Sequence, residues 1–421
     1  MDIVKIEPSR LEGKIKVPPS KSAAHRALIS AFLSGGECRV DGISSSEDMR
    51  ATLRCIAALG GACEYDAAHG CAVFGEPNVC ADSVKMDCGE SGSTLRFFIP
   101  IAQVMSDRAE FWGHGRLMQR PLEPYFRIFR ECGISHRMSD GVLQTAGRLK
   151  PGRFAVNGAI SSQFITGLMF ALPKLDGDSE ILIEGGLESR GYIDMTLSVL
   201  KRFGIKIKNE NYSRFVIKGN QKYKAQNFKV EGDFSQAAFF LVAGALGCGV
   251  SCRGLDAKSL QCDRRIVEII EEAGGKIESF RGGYRAVRTD NMHGITVDAS
   301  EIPDLVPILA VLFSFCRGES RIINAGRLRI KESDRLRAIS AELSRLGADI
   351  CEGSDYLKIS GRQVLSGNTV SAWGDHRIAM ALAIAACRCE GAVEIVGARE
   401  AVKKSYPTFF EDYAALGGLI K

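Results

Sequence analysis

The chain has 421 residues, of which 45% are hydrophobic and 25% charged, which is the composition of an ordinary globular protein. Its formal net charge of +5 suits small acidic ligands, and no run of Lys and Arg forms a nucleic-acid patch. The most apolar stretch, 237–250, is shorter than the run of about 20 apolar residues that crosses a bilayer, so we expect neither nucleic acid nor membrane as a partner.

The first helix predicted along the chain, in VPPSKSAAHRALISA (17–31), has a cationic start. Lys21, His25 and Arg26 precede or interrupt the beginning of an apolar run. Cations normally favour helix C-termini, because the N-terminal end of the helix dipole is itself positive. Such local conflicts concentrate at functional or strained sites. We therefore predict that a polyanionic ligand compensates these charges.

A common pattern returns six times along the chain, at intervals of 69 to 74 residues. Six helices end in glycine, which adopts the left-handed cap conformation without steric cost. These glycines are Gly60, Gly133, Gly204, Gly274, Gly347 and Gly417. The same helices start near Asp48, Pro121, Asp194, Asp263, Asp334 and Pro407. A second set of helices starts near Ser20, Ser91, Ser161, Ser235, Asp304 and Asp375, each after a short strand-like stretch: KIKV, VKMD, FAVN, FKVE, ITVD or NTVS.

Each unit therefore reads as strand–helix–strand–helix–strand–strand. Six such units suit neither a Rossmann sheet nor a (β/α)₈ barrel, whereas three per domain give two domains of ordinary size. The predicted fold class is α/β, with two domains of three βαβαββ units each. We place one crossover between the domains in NFKVEGDF (227–234) and the other in KVPPS, near residue 18.

The fourteen cysteines do not form a recognisable metal or disulfide pattern. No C-x-x-C occurs, and the cysteines between 55 and 88 lie eight or nine residues apart without histidines at zinc-site spacing. The chain opens without the hydrophobic region of a signal peptide. We expect reduced thiols in a cytoplasmic protein and no metal.

Unusual polar residues collect at the predicted helix N-termini. They are Lys21, Ser22, Arg26, Ser91, Gly92, Arg96, Arg120, Ser161, Ser162, Gln163, Ser189, Arg190, Asp304, Lys331, Glu332, Arg335, Asp375, His376, Arg377, Lys403 and Lys404. Free backbone N–H groups and the helix dipole favour an anion at such an end. Arg and Lys add charge-assisted hydrogen bonds to phosphate or carboxylate. The set predicts a site for a polyanionic small molecule.

Taken singly, several of these residues have structural explanations. Ser20, Ser91, Ser161 and Asp375 are suitable N-caps, and a lone histidine such as His25 or His376 is more often structural than catalytic. The charged stretch 327–338 fits a solvated, salt-bridged face. The functional interpretation is favoured by the whole set, because cations recur at equivalent points of several repeats.

Nine segments together resemble the EPSP synthase family (3-phosphoshikimate 1-carboxyvinyltransferase) and follow its order from end to end. They are PPSKSAAHRAL, GESGSTLRF, LMQRPLEP, SSQFITGLM, EGDFSQAAFFL, IPDLVPILAVL, LRIKESDRL, GDHRIAMALA and KKSYPTFFEDYAALG. The resemblance implies an inverse α/β barrel architecture, with the active site in an interdomain cleft. It also implies domains of residues 19–230 and of residues 1–18 with 231–421.

The reaction implied by the resemblance joins phosphoenolpyruvate to the 5-hydroxyl of shikimate 3-phosphate and releases phosphate, in the shikimate pathway of aromatic amino acid biosynthesis. It needs no cofactor or metal, because arginines and lysines supply the positive field. We expect a cytoplasmic monomer. Gly92 keeps a small residue beside phosphoenolpyruvate, which implies inhibition by glyphosate.

Site residues carry over by resemblance, position by position. The shikimate 3-phosphate group comprises Lys21, Ser22, Arg26, Ser161, Ser162, Gln163, Ser189, Arg190, Asp304 and Lys331. The phosphoenolpyruvate group comprises Lys21, Gly92, Arg120, Gln163, Arg335, Arg377 and Lys404. Asp304 is the implied proton acceptor. Glu332 is the best candidate for handling the methylene proton, with Lys21 assisting, and Lys331 and Arg335 should keep it ionised in the empty site.

Two positions depart from a common form of the family pattern. Glu90 and Arg327 stand where Asn is frequent in the family, so a polar substrate contact at these two places is not implied. Neither position belongs to the implied proton-transfer residues.

The residues disfavour three alternative functions. UDP-N-acetylglucosamine enolpyruvyl transferase favours a Lys–Asn pair at its first helix and a reactive loop cysteine, whereas this chain has Lys21–Ser22 and no cysteine in WGHGRLMQRP. A non-catalytic anion-binding homologue is disfavoured because Asp304 and Glu332 are both present. An RNA-end-processing enzyme built on related repeats would need a broader basic surface.

Overall fold

Six four-stranded sheets organise the computed structural model, which describes residues 2–78 and 80–421. The chain divides into two compact units. We call Lys21–Val230 the continuous unit, and Met1–Ser20 with Glu231–Lys421 the split unit. The chain passes between them at 20–21 and again at 230–231, and the second passage falls within the segment 227–234.

The strands are β1 (Ile3–Glu7), β2 (Glu12–Lys16), β3 (Cys38–Asp41), β4 (Cys63–Asp66), β5 (Cys71–Phe74), β6 (Ser83–Asp87), β7 (Arg108–Trp112), β8 (Ser135–Ser139), β9 (Val142–Ala146), β10 (Arg153–Asn157), β11 (Ser179–Glu184), β12 (Ile207–Glu210), β13 (Arg214–Ile217), β14 (Phe228–Lys229), β15 (Gly249–Arg253), β16 (Lys276–Phe280), β17 (Gly283–Val287), β18 (Thr296–Asp298), β19 (Glu319–Ile323), β20 (Asp349–Glu352), β21 (Leu357–Ser360), β22 (Thr369–Ser371), β23 (Val393–Val396) and β24 (Leu419–Ile420).

The α-helices are α1 (Lys21–Ser34), α2 (Glu47–Ala58), α3 (Gly92–Met105), α4 (Glu123–Cys132), α5 (Ser162–Ala171), α6 (Arg190–Arg202), α7 (Phe234–Ala245), α8 (Ile266–Glu272), α9 (Val306–Phe313), α10 (Arg335–Arg345), α11 (His376–Ala385), α12 (Ala398–Val402) and α13 (Phe409–Ala415). Short 3-10 turns cover Leu117–Gln119, Leu172–Lys174, Cys262–Arg265, Pro303–Leu305, Gly326–Ile330 and Ala386–Arg388.

Three of the sheets share one strand order and pairing pattern. In the sheet β6-β7-β9-β8, the first pair is parallel and the other two pairs are antiparallel. Helix α3 connects the parallel pair, because parallel strands need a crossover, and β8 and β9 form a hairpin. The sheets β10-β11-β13-β12 and β18-β19-β21-β20 have the same order. The predicted βαβαββ repeat is confirmed.

The remaining three sheets are completed by strands from distant parts of the chain. β2 precedes α1, yet it pairs in parallel with β15 of the split unit. β14 precedes α7, yet it pairs in parallel with β3 of the continuous unit. β1 fills the place between β23 and β24. The strands at both chain passages therefore belong to a different repeat from the helices that follow them.

Three helices in each unit are buried on nearly all sides. In the split unit these are α7, α9 and α11, which pack against one another. In the continuous unit they are α1, α3 and α5. Their sequences are apolar around the whole circumference, as in FSQAAFFLVAGA of α7, which is typical of a core helix. Within the described residues, no helix combines the length and apolar character needed to span a membrane.

The N-cap predictions are confirmed at three buried helices. Ser91 accepts from the Thr94 backbone N–H, Ser161 from that of Gln163, and Asp375 from that of Arg377. Each cap satisfies a backbone donor that has no partner inside its own helix. These caps also place the following residues on the first turn, where the predicted anion-binding side chains occur.

Three residues that mark helix starts in the sequence lie a few residues from the observed boundaries. Asp233, rather than Ser235, caps α7, because its carboxylate accepts from two backbone N–H groups. Asp304 lies in the 3-10 turn before α9. Asp194 lies inside α6, which starts one turn earlier. In each case a better capping geometry or an extra turn of helix shifts the boundary.

The six predicted helix-terminating glycines have left-handed backbone conformations. Their φ angles lie between 69° and 89°. Residues with a Cβ rarely adopt these angles, so the recurring glycine ends its helix at the same point of each repeat. This prediction is confirmed.

Candidate functional site

The cations of the first helix have partners within the continuous unit. Lys21 Nζ lies 2.7 Å from Asp48 Oδ2 on α2. The Arg26 guanidinium donates to Thr196 Oγ1 at 2.8 Å and to the Ser22 carbonyl at 2.7 Å. It also lies over the Phe97 ring, 5.4 Å from the centroid. The protein itself therefore compensates part of the charge conflict for which the sequence predicts a polyanionic ligand.

A chain of buried hydroxyl groups connects α1, α2 and α3. His25 Nδ1 lies 2.7 Å from Thr52 Oγ1, which lies 2.8 Å from Thr94 Oγ1, and this hydroxyl donates to Ser91 Oγ. Burial lowers the pKa of His25 well below its usual value, and the charges of Lys21 and Arg26 lower it further. His25 is therefore neutral and serves to fix these helix ends.

Four predicted or noted residues converge at the start of α3. A Cβ atom added to Gly92 would lie 2.8 Å from Arg120 Nη1 and 3.1 Å from Arg96 Nη1. Arg96 Nη1 donates to Gln163 Oε1 at 2.7 Å, and Gln163 Nε2 donates to Ser93 Oγ at 2.9 Å. We call Gly92, Arg96, Arg120 and Gln163 the Gly92 cluster. It offers two guanidinium groups beside a position without a side chain, an arrangement suited to a small carboxylate or phosphate.

The serines of the continuous unit occupy two helix starts. Ser161 and Ser162 lie at the N-terminus of α5. Ser189 precedes α6 with φ +57°, a left-handed conformation that is uncommon for a residue with a side chain. It is buried, and Arg190 beside it lies over the Tyr212 ring at 5.5 Å. Backbone strain at a predicted phosphate contact is consistent with a functional position.

The split unit contains a dense group of charges, which we call the Arg335 cluster. Its members are Asp304, Lys331, Glu332, Arg335, Asp375 and Arg377. The buried Arg335 guanidinium donates to Asp375 Oδ2 at 2.8 Å, to Asp304 Oδ1 at 2.9 Å and to Glu332 Oε2 at 2.6 Å. Arg377 donates to the other Asp304 oxygen at 2.9 Å. Three carboxylates thus hold Arg335 at the starts of α10 and α11.

Electrostatics keep Asp304 ionised in this arrangement. Burial alone raises its pKa, but the charges of Arg377, Lys331 and Arg335 outweigh burial and hold the pKa well below the usual range. Burial also raises the pKa of Asp375, but the charges and hydrogen bonds around it, chiefly those of Arg335, outweigh burial and lower the pKa. Asp304 in the ligand-free protein is therefore a stable anion and a weak base.

Two further lysines of the predicted site, Lys331 and Lys404, differ in their surroundings. Burial lowers the pKa of Lys331 to about 8, although Asp304, 3.8 Å from its Nζ, acts in the opposite direction. Lys404 Nζ donates to the Gly374 carbonyl at 2.8 Å, just before the N-cap of α11. Lys331 is thus the cation of this cluster whose charge changes near neutral pH.

The two departures from the family pattern have local explanations. The Glu90 carboxylate lies against Gly115, where an added Cβ would meet it at 2.6 Å. Gly115 has φ +56°, so the loop favours glycine for its backbone conformation. Arg327 donates to the Ser300 carbonyl on the segment before α9.

Sequence reasoning did not assign roles to several carboxylates near the predicted site. Asp48 binds Lys21, and Asp263 accepts from Ser235 at the start of α7. Both were recognised as repeated helix-start positions. That repetition was the available signal, because an aspartate at this point of a repeat lies beside the first turn of the neighbouring buried helix.

Comparison with known proteins gives a consistent result. The family profile described as EPSP synthase (3-phosphoshikimate 1-carboxyvinyltransferase) matches residues 6–413. The chain belongs to the EPSP synthase family. A relative from Clostridium novyi named 3-phosphoshikimate 1-carboxyvinyltransferase is 49% identical over 100% of this chain and 98% of its own length. Relatives of the same name from Clostridium acetobutylicum and Clostridioides difficile are 49% and 46% identical over 99% and 100% of this chain.

Solved structures support the fold. EPSP synthase from Acinetobacter baumannii has a TM-score of 0.83 at 24% identity, covering 100% of this chain and 99% of that one. The enolpyruvyl transferase NikO from Streptomyces tendae has a TM-score of 0.80 at 15% identity, covering 100% and 98%. At these identities the likeness shows the shared architecture, and it confirms the predicted fold class. The resemblance stated from the nine segments is confirmed by the family match.

Proposed function

We propose that this chain transfers the enolpyruvyl group of phosphoenolpyruvate to the 5-hydroxyl of shikimate 3-phosphate. The products are 5-enolpyruvylshikimate 3-phosphate and phosphate. The observation that carries the proposal is the full-length match to relatives of this activity at up to 49% identity. The Gly92 and Arg335 clusters support it, because both substrates are polyanions and each cluster gathers cations at helix N-termini.

The proposed binding roles follow the two groups assigned by resemblance. Lys21, Arg26 and the starts of α5 and α6 contribute to holding shikimate 3-phosphate, with Lys331 from the Arg335 cluster. Arg120 and Gln163 of the Gly92 cluster, with Arg335, Arg377 and Lys404, clamp the carboxylate and phosphate of phosphoenolpyruvate. Because Arg335 and Arg377 are already bound to carboxylates, the substrate anion must share or replace those contacts.

Asp304 and the bound substrates would share the same cations, and this sharing would make Asp304 a stronger base. In the ligand-free protein three cations suppress its basicity. Bound polyanions would divert the field of these cations, so the Asp304 pKa would rise toward the range that suits general base catalysis. Asp304 would then accept the proton of the 5-hydroxyl as its oxygen attacks C2 of phosphoenolpyruvate. Base strength would thus develop when both substrates are present.

Glu332 is proposed to handle the other proton. Protonated once both substrates are bound, it would give its proton to the methylene carbon during addition and take one back from the resulting methyl group as phosphate leaves. The proton that Asp304 accepts from the 5-hydroxyl would pass to the departing phosphate, so the proton count balances over the two steps. Glu332 Oε2 lies 2.6 Å from Arg335 Nη2, which orients the carboxylate. Lys21 assists by stabilising developing charge.

The lowered pKa of Lys331 leads to a testable prediction. Lys331 is protonated below about pH 8 and loses its charge above it, so kcat/KM for shikimate 3-phosphate should fall as the pH rises through that value. We expect Lys331→Arg, which remains charged, to move this alkaline limb upward by at least about 1 pH unit. Lys258→Arg, at an exposed position, is the matched control. An unchanged limb in Lys331→Arg would contradict the assignment.

Gly92 makes a second prediction. In Gly92→Ala the new methyl group would lie 2.8 Å from Arg120 Nη1, so the guanidinium must move. Losing one charge-assisted hydrogen bond costs about 1.5–3 kcal/mol, so we expect the KM for phosphoenolpyruvate to rise about 10- to 100-fold. Gly152→Ala is the control, since nothing lies within 4 Å of its Cβ position. Equal KM values for Gly92→Ala and the parent would show that Gly92 does not belong to the phosphoenolpyruvate site.

The decisive assay is phosphate release from phosphoenolpyruvate by the purified protein. Release that depends on shikimate 3-phosphate would support the proposal. UDP-N-acetylglucosamine serves as the parallel acceptor, although the relatives do not favour that activity. Binding of both substrates to a folded protein without release would favour a non-catalytic homologue.

The finer expectations complete the proposal. The domains are residues 19–230 and residues 1–18 with 231–421, and the protein acts as a cytoplasmic monomer that glyphosate inhibits. The fourteen cysteines, all within the described ranges, are free thiols, which is compatible with the reduced compartment expected from the sequence.

A further inference from the structure

The side chain of Asp263 is a buried carboxyl group that none of the roles above uses. It lies in the 3-10 turn Cys262–Arg265 and is 2% exposed. Ser235 Oγ donates to its Oδ2. Its Oδ1 is buried and has no hydrogen-bond partner within residues 2–78 and 80–421. A buried carboxylate oxygen without a donor is costly when charged, so the position needs an explanation.

The internal repeat shows what is unusual about this position. Asp48 and Asp263 occupy equivalent helix-start positions in the first repeat of each unit. Both bind the first turn of a buried helix, α1 and α7 respectively. Asp48, however, binds the ammonium group of Lys21, whereas Asp263 binds only the hydroxyl of Ser235. At this position of the split unit, the carboxyl group therefore has no direct cationic partner within the described residues.

The charged groups that act electrostatically on Asp263 come from three elements. Asp233 is the N-cap of α7, Asp304 lies in the turn before α9, and Arg377 lies on α11. On its own turn, Arg264 and Arg265 pair with Glu268 and Glu272 at the surface. Burial, with Asp304 and Asp233 adding to it, raises the pKa of Asp263 to about 7, against the lowering effects of Arg377 and Ser235.

We propose that Asp263 is a positioning residue whose charge sets how strongly the Asp304–Arg377 pair takes up anionic substrate. As a neutral acid it leaves the Arg377 field to Asp304 and the substrate. As an anion it competes for Arg377 and repels both Asp304 and an incoming polyanion. This inference rests on the proposed function and deepens it, because it gives the phosphoenolpyruvate subsite an internal proton-controlled modulator.

The test compares the parent with Asp263→Asn, which keeps the size of the side chain and never ionises. The first readout is the thermal midpoint Tm as a function of pH. An acid whose pKa is higher in the folded protein disfavours folding increasingly as the pH rises from 3.8, its ordinary value, to about 7. We therefore expect the Tm advantage of Asp263→Asn to grow across this range and then level off. Asp290→Asn, at an exposed position, should show no such growth.

The second readout is the KM for phosphoenolpyruvate at about pH 6 and about pH 8, on either side of the expected ionisation. Substrate ionisation is the same for both proteins, so the difference between their KM ratios isolates Asp263. The ratio compared is the KM at the higher pH divided by the KM at the lower pH. We expect this ratio to be on the order of fivefold larger in the parent than in Asp263→Asn, which is the effect of one added charge at a distance of several ångströms.

The two readouts separate the possible failures. Equal KM ratios in two active proteins would overturn the positioning role, whatever the Tm values show. A Tm difference that is independent of pH would show that Asp263 does not change its charge over this pH range. A parent protein without shikimate 3-phosphate-dependent phosphate release would overturn the proposed function, and with it this inference.

Discussion

We expect Asp304→Asn to lower kcat by about 10²- to 10⁴-fold, the usual loss when a general base is removed. The amide keeps the size of the side chain, but its single oxygen can accept from only one of the two guanidinium groups, Arg335 and Arg377, which now donate to separate Asp304 oxygens at 2.9 Å. It cannot accept the proton of the 5-hydroxyl. Single-turnover product formation measures the chemical step directly.

The control for this variant is Glu301→Gln, on the same segment but outside the Arg335 cluster. We expect its kcat to remain within about twofold of the parent, as for a surface change away from special features. A kcat of Asp304→Asn within that same range would show that another group takes the proton. Glu332→Gln would then be the next variant, and an unchanged pH–rate profile in it would exclude Glu332.

The second large effect concerns stability. Arg335→Met removes the one guanidinium that Asp304, Asp375 and Glu332 share, and leaves three carboxylates facing one another. Arg335 is 2% exposed at its side chain and Asp375 is fully buried. Breaking a buried ion pair from one side costs about 3–5 kcal/mol, and we expect the lower end because Asp304 and Glu332 are partly exposed. The KM for phosphoenolpyruvate should rise in the same variant.

The measurement can be confined to the split unit. The chain has two tryptophans, Trp112 in the continuous unit and Trp373 in the split unit. In a Trp112→Phe background, fluorescence during urea unfolding reports on the split unit through Trp373. Arg345→Met on the same helix is the control, since its side chain is 63% exposed and its contact with Glu342 is 3.7 Å. Equal urea midpoints for the two variants would contradict the structural role of Arg335.

The loss should also depend on pH in a defined direction. The pKa of Asp375 and that of Asp304 are depressed in the folded protein, in both cases because cations outweigh burial. Their contribution to stability is present above the ordinary carboxyl pKa and is lost as the pH falls through the lowered values. The difference between Arg335→Met and the parent should therefore be largest near neutral pH and shrink in acid.

Much of the candidate site was accessible from the sequence, because its signals are local. Cations at helix starts, N-cap residues and helix-ending glycines depend on the conformation of a few neighbouring residues. The repeat interval then showed that these local features belong to equivalent places. This was enough to gather Gly92, Arg120, Asp304, Arg335 and Arg377 in one set of candidates for a polyanionic ligand. Their division between the two substrates came from the family resemblance.

The partners of those residues were not accessible in the same way. Lys21 and Asp48 are 27 residues apart, and Arg335 and Asp375 are 40 apart. Which carboxylate neutralises which cation depends on how helices of different repeats pack. For this reason the sequence did not reveal the Asp48 partner of Lys21 and assigned no role to Asp263.

The sequence by itself determined the repeating unit, its six copies, the glycines that end its helices and the kind of ligand its helix starts suit. These properties follow from residue types at regular spacing. Only the tertiary structure decided that β1, β2 and β14 complete sheets of other repeats. It also decided that Asp304 and Arg335 belong to one network of carboxylate and guanidinium groups. A strand's hydrogen-bond partner and a charge's counter-ion are both chosen across the fold, where spacing along the chain carries no information.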